Sequence, residues 1–139
     1  MTNDEELSRL MAIAEQYKEQ LNQLDMQLNF VQQAINEYNK SMITLKNIKK
    51  QDKNSEVILP IGGATYINAK VSDPSKTLFD IGAGYVVEKE SDDAIKKIED
   101  RIKELENNMK KINEIRQKTE NEATEIYQKA QKLYQEQNG

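Results

Sequence analysis

The apolar residues of the first third of the chain keep a strict rhythm. Leu7, Leu10, Ala14, Tyr17, Leu21, Leu24, Leu28, Val31, Ile35, Tyr38, Met42 and Leu45 follow one another at alternating steps of three and four. That is a 3.5-residue repeat. A straight helix turns every 3.6 residues and would drift off such a stripe, so a repeat held this long calls for a supercoiled partner. The last third repeats the pattern at Ile95, Ile98, Ile102, Leu105, Met109, Ile112, Arg116, Thr119, Ala123, Ile126, Ala130 and Leu133. This second stripe is apolar as far as Ile112 and weakens at Arg116 and Thr119, where Ile115 offers a neighbouring substitute. Two stripes of nearly equal length, with a joining segment that turns the chain back, predict an antiparallel intramolecular coiled coil. Leu7–Tyr17 then lies near Ala123–Leu133, and both termini sit at the tip away from the joining segment.

The helix ends carry start and stop signals. Asn3 is a candidate N-cap with Glu6 as its capping-box partner. Asp4, Glu5 and Glu6 suit the positive helix N-terminus, and Lys46, Lys49 and Lys50 suit the negative end. At 1.5 Å per residue the first helix would be roughly 65–70 Å long. Gln51–Ser55 reads as a polar linker, and Ser91, followed by Asp92 and Asp93, as the N-cap of the second helix.

Between the stripes lies a different kind of sequence. Residues 56–90 hold Gly62, Gly63, Gly82 and Gly84, four of the chain's 5 glycines, and both prolines, Pro60 and Pro74. Short apolar runs flank Gly62-Gly63, which predicts a hairpin. Asp73-Pro74-Ser75-Lys76 predicts a type I turn. Thr77–Ile81 and Tyr85–Lys89 then form a second hairpin around Gly82-Ala83-Gly84. In the second strand Ile67, Ala69 and Val71 share one face, and Tyr66, Asn68 and Lys70 the other. Four short strands cannot bury both faces or hide their edges alone. Pairing with strands of other chains in a closed sheet or barrel is the economical solution. Val57, Leu59, Ile61, Ile67, Val71, Phe79, Ile81, Tyr85 and Val87 are the apolar side chains available for it.

The expected fold is therefore α+β and mostly helical: a long antiparallel two-helix coiled coil joined by two β-hairpins that close with strands of other chains into an intersubunit sheet or barrel. It is expected as one domain over 1–139, with a helix at 1–50, hairpins at 56–90 and a helix at 91–137.

Composition narrows the chemistry. Charged residues make up 32% of the 139 residues and aromatics 6%, which suits helices burying a narrow seam better than a large core. The net charge of −4 is evenly spread, no block is basic, and arginine occurs only as Arg9, Arg101 and Arg116. This is not the footprint of a nucleic-acid binder. There is no cysteine or histidine, which removes disulfides, thiolates, most zinc sites and the commonest general base. Glu99, Asp100, Glu104 and Glu106 fall on solvated helix faces without the apolar setting that acid–base work requires. Gly82 and Gly84 form a G-x-G that runs into a strand and lacks the third glycine of a dinucleotide loop. No enzyme, cofactor or metal is expected. No apolar run is long enough to cross a membrane, and the acidic, polar start MTNDEELSRL does not read as a signal peptide. The expected setting is soluble and cytoplasmic, with no nucleic-acid or membrane partner.

Near the termini the apolar content exceeds what one seam needs. Met11, Ala12 and Ile13 lie off the first stripe, and Tyr127 and Tyr134 off the second. A wider stripe at a fraying end accounts for this; so does an exposed patch for a ligand, since Met adapts its shape and Tyr presents an apolar face with a polar edge.

The order of elements resembles the α class of prefoldin subunits, co-chaperones of archaea and eukaryotes. The likeness is carried by Leu59-Pro60-Ile61-Gly62, by Asp73 with Lys76, by Ile81-Gly82-Ala83-Gly84, and by Val86-Val87-Glu88-Lys89 followed by Asp93-Ala94. Two hairpins point to the α class, since β-class subunits have one. The resemblance implies an archaeal-type hetero-hexamer of two alpha and four beta subunits. Its hairpins would build a double β-barrel platform from which the coiled coils hang. The tips would hold unfolded client proteins without ATP and deliver them to a group II chaperonin. On this reading the client-binding residues are Leu7, Leu10, Met11, Ile13, Tyr127, Ala130, Leu133 and Tyr134. The alternative is a scaffolding coiled coil, such as a filament-forming relative of the same family.

Overall fold

Both 3.5-residue stripes lie on helices. In a computed structural model, which describes residues 2–138, the chain runs α1 (Asn3–Lys49), β1 (Ser55–Gly62), β2 (Thr65–Val71), β3 (Lys76–Gly82), β4 (Tyr85–Glu90) and α2 (Ser91–Asn138). Its contacts form two units. A terminal unit combines Met1–Ala34 with Leu105–Gly139, and a hairpin unit comprises Ile35–Glu104. Every seam position named above, on either helix, is buried or half-buried.

In the terminal unit the helices run antiparallel. Gln137 Nε2 donates to Asp4 Oδ1 at 2.8 Å, and Arg116 Nε donates to Asp25 Oδ1 at 2.6 Å. The most buried seam residues here are Leu10 and three alanines, Ala14, Ala123 and Ala130. Thr119 is buried too, its hydroxyl satisfied by the Ile115 carbonyl at 2.9 Å. Ile115 does not replace Arg116 in the seam; it is 54% exposed. One residue along a helix is about 100° around it, so a neighbour cannot stand in for a seam residue. Arg116 keeps the position itself, with its stem along the seam and its guanidinium reaching Asp25 and, at 2.9 Å, Glu120. These carboxylates, Asp25 foremost, raise its pKa further.

The first helix starts one residue earlier than its Asn3 signal suggests. Thr2 is the cap: its Oγ1 accepts from the Glu5 N–H at 3.1 Å, and its carbonyl accepts from the Glu6 N–H at 3.0 Å. Glu6 turns instead to Arg9, whose hydrogen bond holds the Glu6 carboxyl below its usual range.

In the hairpin unit the seam is isoleucine-rich. Ile35, Ile95, Ile98 and Ile102 are buried together with Ala94. Each large side chain removed from water contributes about 1.5–3 kcal/mol before chain entropy is counted. Lys46 pairs with Glu99 at 3.8 Å, and Lys49 pairs with Asp92. Both pairs are exposed and orient the helices more than they stabilise them.

Ser91 starts α2 but does not cap it with its side chain. Its buried hydroxyl donates to the Pro74 carbonyl at 2.9 Å and lies 2.9 Å from Thr77 Oγ1, while its N–H donates to the Ser75 carbonyl at 2.7 Å. The start of the second helix is thus tied to the turn between the hairpins. That turn closes through Lys76 N–H to Asp73 O at 3.1 Å, with Asp73 Oδ1 accepting from both the N–H and the hydroxyl of Ser75. These bonds hold the Asp73 carboxyl below its usual range.

The hairpins are separate two-stranded antiparallel sheets built alike. Pro60 faces Tyr66 and Gly62 faces Thr65, which leaves Ile61 as a bulge; Asp80 faces Val86 and Gly82 faces Tyr85, which leaves Ile81 as a bulge. The loop residues are Gly63-Ala64, one position later than Gly62-Gly63 suggests, and Ala83-Gly84, within the expected Gly82-Ala83-Gly84 turn and shorter by Gly82, which pairs with Tyr85. All four loop residues have positive φ, with Ala64 at 57° and Ala83 at 51°. A two-residue hairpin loop needs left-handed residues at both positions to match the strand twist. The alanines accept that conformation at a cost of about 1–2 kcal/mol each.

Two outcomes follow for stability. Arg116→Leu should raise the thermal midpoint followed by helical circular dichroism, because it restores an apolar seam residue in place of a half-exposed ion pair; a lowered midpoint would show that the pair stabilises the coil. Ala83→Asn places the Asn-Gly pair favoured in such loops and should stabilise by about 1 kcal/mol or less. A drop in the same melting experiment would contradict the left-handed assignment.

Candidate functional site

Leu7, Met11, Tyr127, Ala130, Gln131 and Tyr134 line one apolar groove in the terminal unit. The heptad explains why. Met11, Tyr127 and Tyr134 each follow a seam residue by one position, and in an antiparallel pair these flanks face one another. They remain 53%, 48% and 60% exposed. The buried Ala130 and half-buried Leu7 form the floor. Small seam residues here let the flanks of the two helices come close.

Five of the eight candidate client-binding residues therefore share this groove: Leu7, Met11, Tyr127, Ala130 and Tyr134. Leu10 is buried and Leu133 half-buried, both as seam residues. Ile13 precedes its seam neighbour Ala14 rather than following it, is half-buried, and does not line the groove.

The candidate assembly residues divide by face. Leu59 pairs with Ile67 across the first hairpin, and both are exposed, as are the bulged Ile61 and Ile81 and the turn-flanking Tyr85. Val57, Val71, Phe79 and Val87 are half-buried within the chain itself. Phe79 lines a groove with Tyr38, Leu45 and Ile98 of the helices, so part of its surface already serves the hairpin unit. Four exposed apolar side chains were not anticipated: Ile58, Tyr66, Leu78 and Val86. They occupy the opposite face of the same strands, since Ile58 pairs with Asn68, Pro60 with Tyr66, and Asp80 with Val86. Both faces of each hairpin thus carry apolar side chains, one face exposed and the other partly covered by its own unit, a feature legible in the unbroken run Val57-Ile58-Leu59. Met26 and Phe30 on α1 were also missed; no seam position marks them.

The titratable groups trace to structure. Tyr17, a seam residue, has its pKa raised by burial and then by Glu122. Glu99, Asp100, Glu104 and Glu106 are not buried. Among the described residues no His/Cys/Asp/Glu group gathers to hold a metal, and no helix is long and apolar enough to cross a membrane.

Two helices bridged by two hairpins, with exposed apolar surface on the strands and at the helix ends, are the architecture of a coiled-coil assembly subunit. Comparison with known proteins agrees. The Prefoldin subunit family matches residues 17–136. Prefoldin subunit alpha of Methanosarcina barkeri is 26% identical over 100 residues, covering 70% of this chain and 69% of the relative. Prefoldin subunit alpha 1 of Thermococcus kodakarensis is 32% identical over 98 residues, 68% of this chain and 67% of the relative. For Prefoldin subunit alpha of Methanopyrus kandleri the figures are 32% over 95 residues, 68% and 60%, so the match leaves two fifths of that relative uncovered. A cryo-EM structure of filamentous PFD from Methanocaldococcus jannaschii superposes with a TM-score of 0.59 at 27% identity, covering 88% of this chain and 95% of that one. The chain belongs to the prefoldin family, in its alpha class. Prefoldins are chaperones, and an alpha subunit assembles into a prefoldin complex.

Proposed function

We propose that this chain is the alpha subunit of an ATP-independent holdase, acting as one prefoldin-like unit over 1–139. It binds unfolded proteins through the groove of the terminal unit and passes them to a group II chaperonin. The observation that carries this reading is the groove itself. Met and Tyr side chains about half exposed, on an alanine floor, suit brief contacts with many apolar sequences. One such groove binds weakly, and several arms in one assembly convert weak contacts into useful retention. The assembly is a hetero-hexamer of two alpha and four beta subunits, joined by the hairpins, in the cytoplasm. The exposed apolar faces of both hairpins support this, because each hairpin alone leaves them in water.

Lys substitutions at Met11, Tyr127 and Tyr134 should weaken aggregation suppression by the reconstituted hexamer about fivefold or more, with its mass unchanged. Unchanged holding and unchanged handover to the chaperonin would remove the groove from the binding site. Leu59→Lys with Ile67→Lys should abolish the hexamer on mixing with a beta subunit while leaving the helical signal intact. A variant that still assembles would rule out that face of the first hairpin as the joint.

A second reading, a structural filament subunit, is favoured by the likeness to the Methanocaldococcus jannaschii structure, which is of a filamentous PFD. Light scattering separates the two: open-ended polymers of the lone chain support the filament, and a closed hexamer with a beta partner supports the holdase.

A further inference from the structure

Phe30 is 76% exposed in the middle of α1 and Met26, one turn before it, is 65% exposed. Neither belongs to the seam. Together with Gln23, Gln27, Val31 and Ile112 they line a second groove in the terminal unit, distinct in its residues from the first. The surrounding sequence is unusual for this chain. Between Glu19 and Glu37 the only charged residue is Asp25, and Asp25 is engaged by Arg116. The rest of the outward surface of that stretch is glutamine and asparagine, whereas the chain as a whole is 32% charged. Depletion of charge with retention of Met and Phe is the composition of a binding surface, not of a solvated helix face.

The chemistry discriminates between occupants. A partner helix would need an apolar stripe continuing at steps of three and four over several turns. Here the exposed off-seam apolar residues, Met26 and Phe30, span a single turn, and seven residues beyond them the positions are held by Gln33 and Glu37. The patch is also narrow beside what a stable folded partner buries. An extended, non-native segment fits better. Phe30 and Met26 can take one or two apolar side chains of varied shape, and the amides of Gln23 and Gln27 can both donate to and accept from an exposed peptide backbone.

We infer that Met26, Phe30, Gln23 and Gln27 form a second contact site for extended, unfolded polypeptide on this subunit. The inference rests on the holdase reading. A client long enough to touch both grooves is then retained by two weak sites of one arm, and the second contact is made at the high local concentration set by the first.

The test uses the complete reconstituted hexamer and denatured lysozyme as client. A photo-crosslinking residue is placed at position 30, or at Lys118, which is exposed on α2, as the control. Separately, Met26→Lys with Phe30→Lys is compared with the wild type in light-scattering suppression. The expected result is client crosslinking at position 30 and not at Lys118, with about a fivefold loss of holding at unchanged hexamer mass. Crosslinking to another subunit, or a changed mass of the variant, would assign the patch to subunit packing and overturn the proposal. So would equal crosslinking at both positions or unaltered suppression. If the wild-type hexamer suppresses nothing, the holdase reading falls as well, which separates the two failures.

Discussion

The structure depends on one narrow interaction, the contact of two apolar stripes repeated every 3.5 residues. It is built differently in the two units. In the hairpin unit the buried residues are isoleucines, which remove much apolar surface from water. In the terminal unit they are mostly alanines, with a buried Thr119 and a half-buried Arg116. Alanine contributes little burial but allows close approach. Beside Ala130 that close approach brings the flanks together, where Met11, Tyr127 and Tyr134 gather over a small seam residue. The exposed groove thus follows from an alanine at one position of the seam.

The hairpins depend on a different constraint. Backbone groups at a strand edge and apolar side chains on a strand face both require cover. Each hairpin here has two strands, two apolar faces and no further strand among the described residues to pair with. The second hairpin is tied to the start of α2 by polar contacts, the Ser91 hydroxyl on the Pro74 carbonyl and the Thr77–Ser91 contact, and Phe79 adds an apolar one beside Tyr38, Leu45 and Ile98. These contacts leave Ile58, Tyr66, Leu78 and Val86 exposed.

Much of this was legible in the residues because the heptad period is rigid. A seam position is set by all the others, so Arg116 and Thr119 could be placed in the stripe despite their polarity. Sequence spacing failed where one residue of offset changes the answer. The first loop is Gly63-Ala64 and not Gly62-Gly63, and the second loses Gly82 to its strand, because a bulge at Ile61 and Ile81 carries pairing one residue further, and bulges leave no period. Thr2 replaced Asn3 as the cap for a similar reason, since both are good capping residues and only geometry chooses. Ile115 fails as a seam substitute because proximity in sequence is not proximity on a helix face. Exposed residues such as Phe30 and Leu78 escaped because a search for buried periodicity discards whatever falls off the period. Their signal was instead the scarcity of charge beside Phe30 and the apolar residues on both strand faces.

The likeness of the two hairpins has a consequence for how assemblies close. Each carries the same bulged isoleucine followed by a glycine and a two-residue left-handed loop, with glycine and alanine exchanged between them. On the proposed reading, in which the hairpins are the joints, the subunit is divalent in the language of polymer chemistry: it offers two joints of like build on one chain. A divalent unit meeting partners with a single joint makes a bounded object of fixed size. The same unit meeting other divalent units extends without limit. Whether such a chain ends up in a closed particle or a fibre is then a matter of the stoichiometry around it, and needs no change in its own fold.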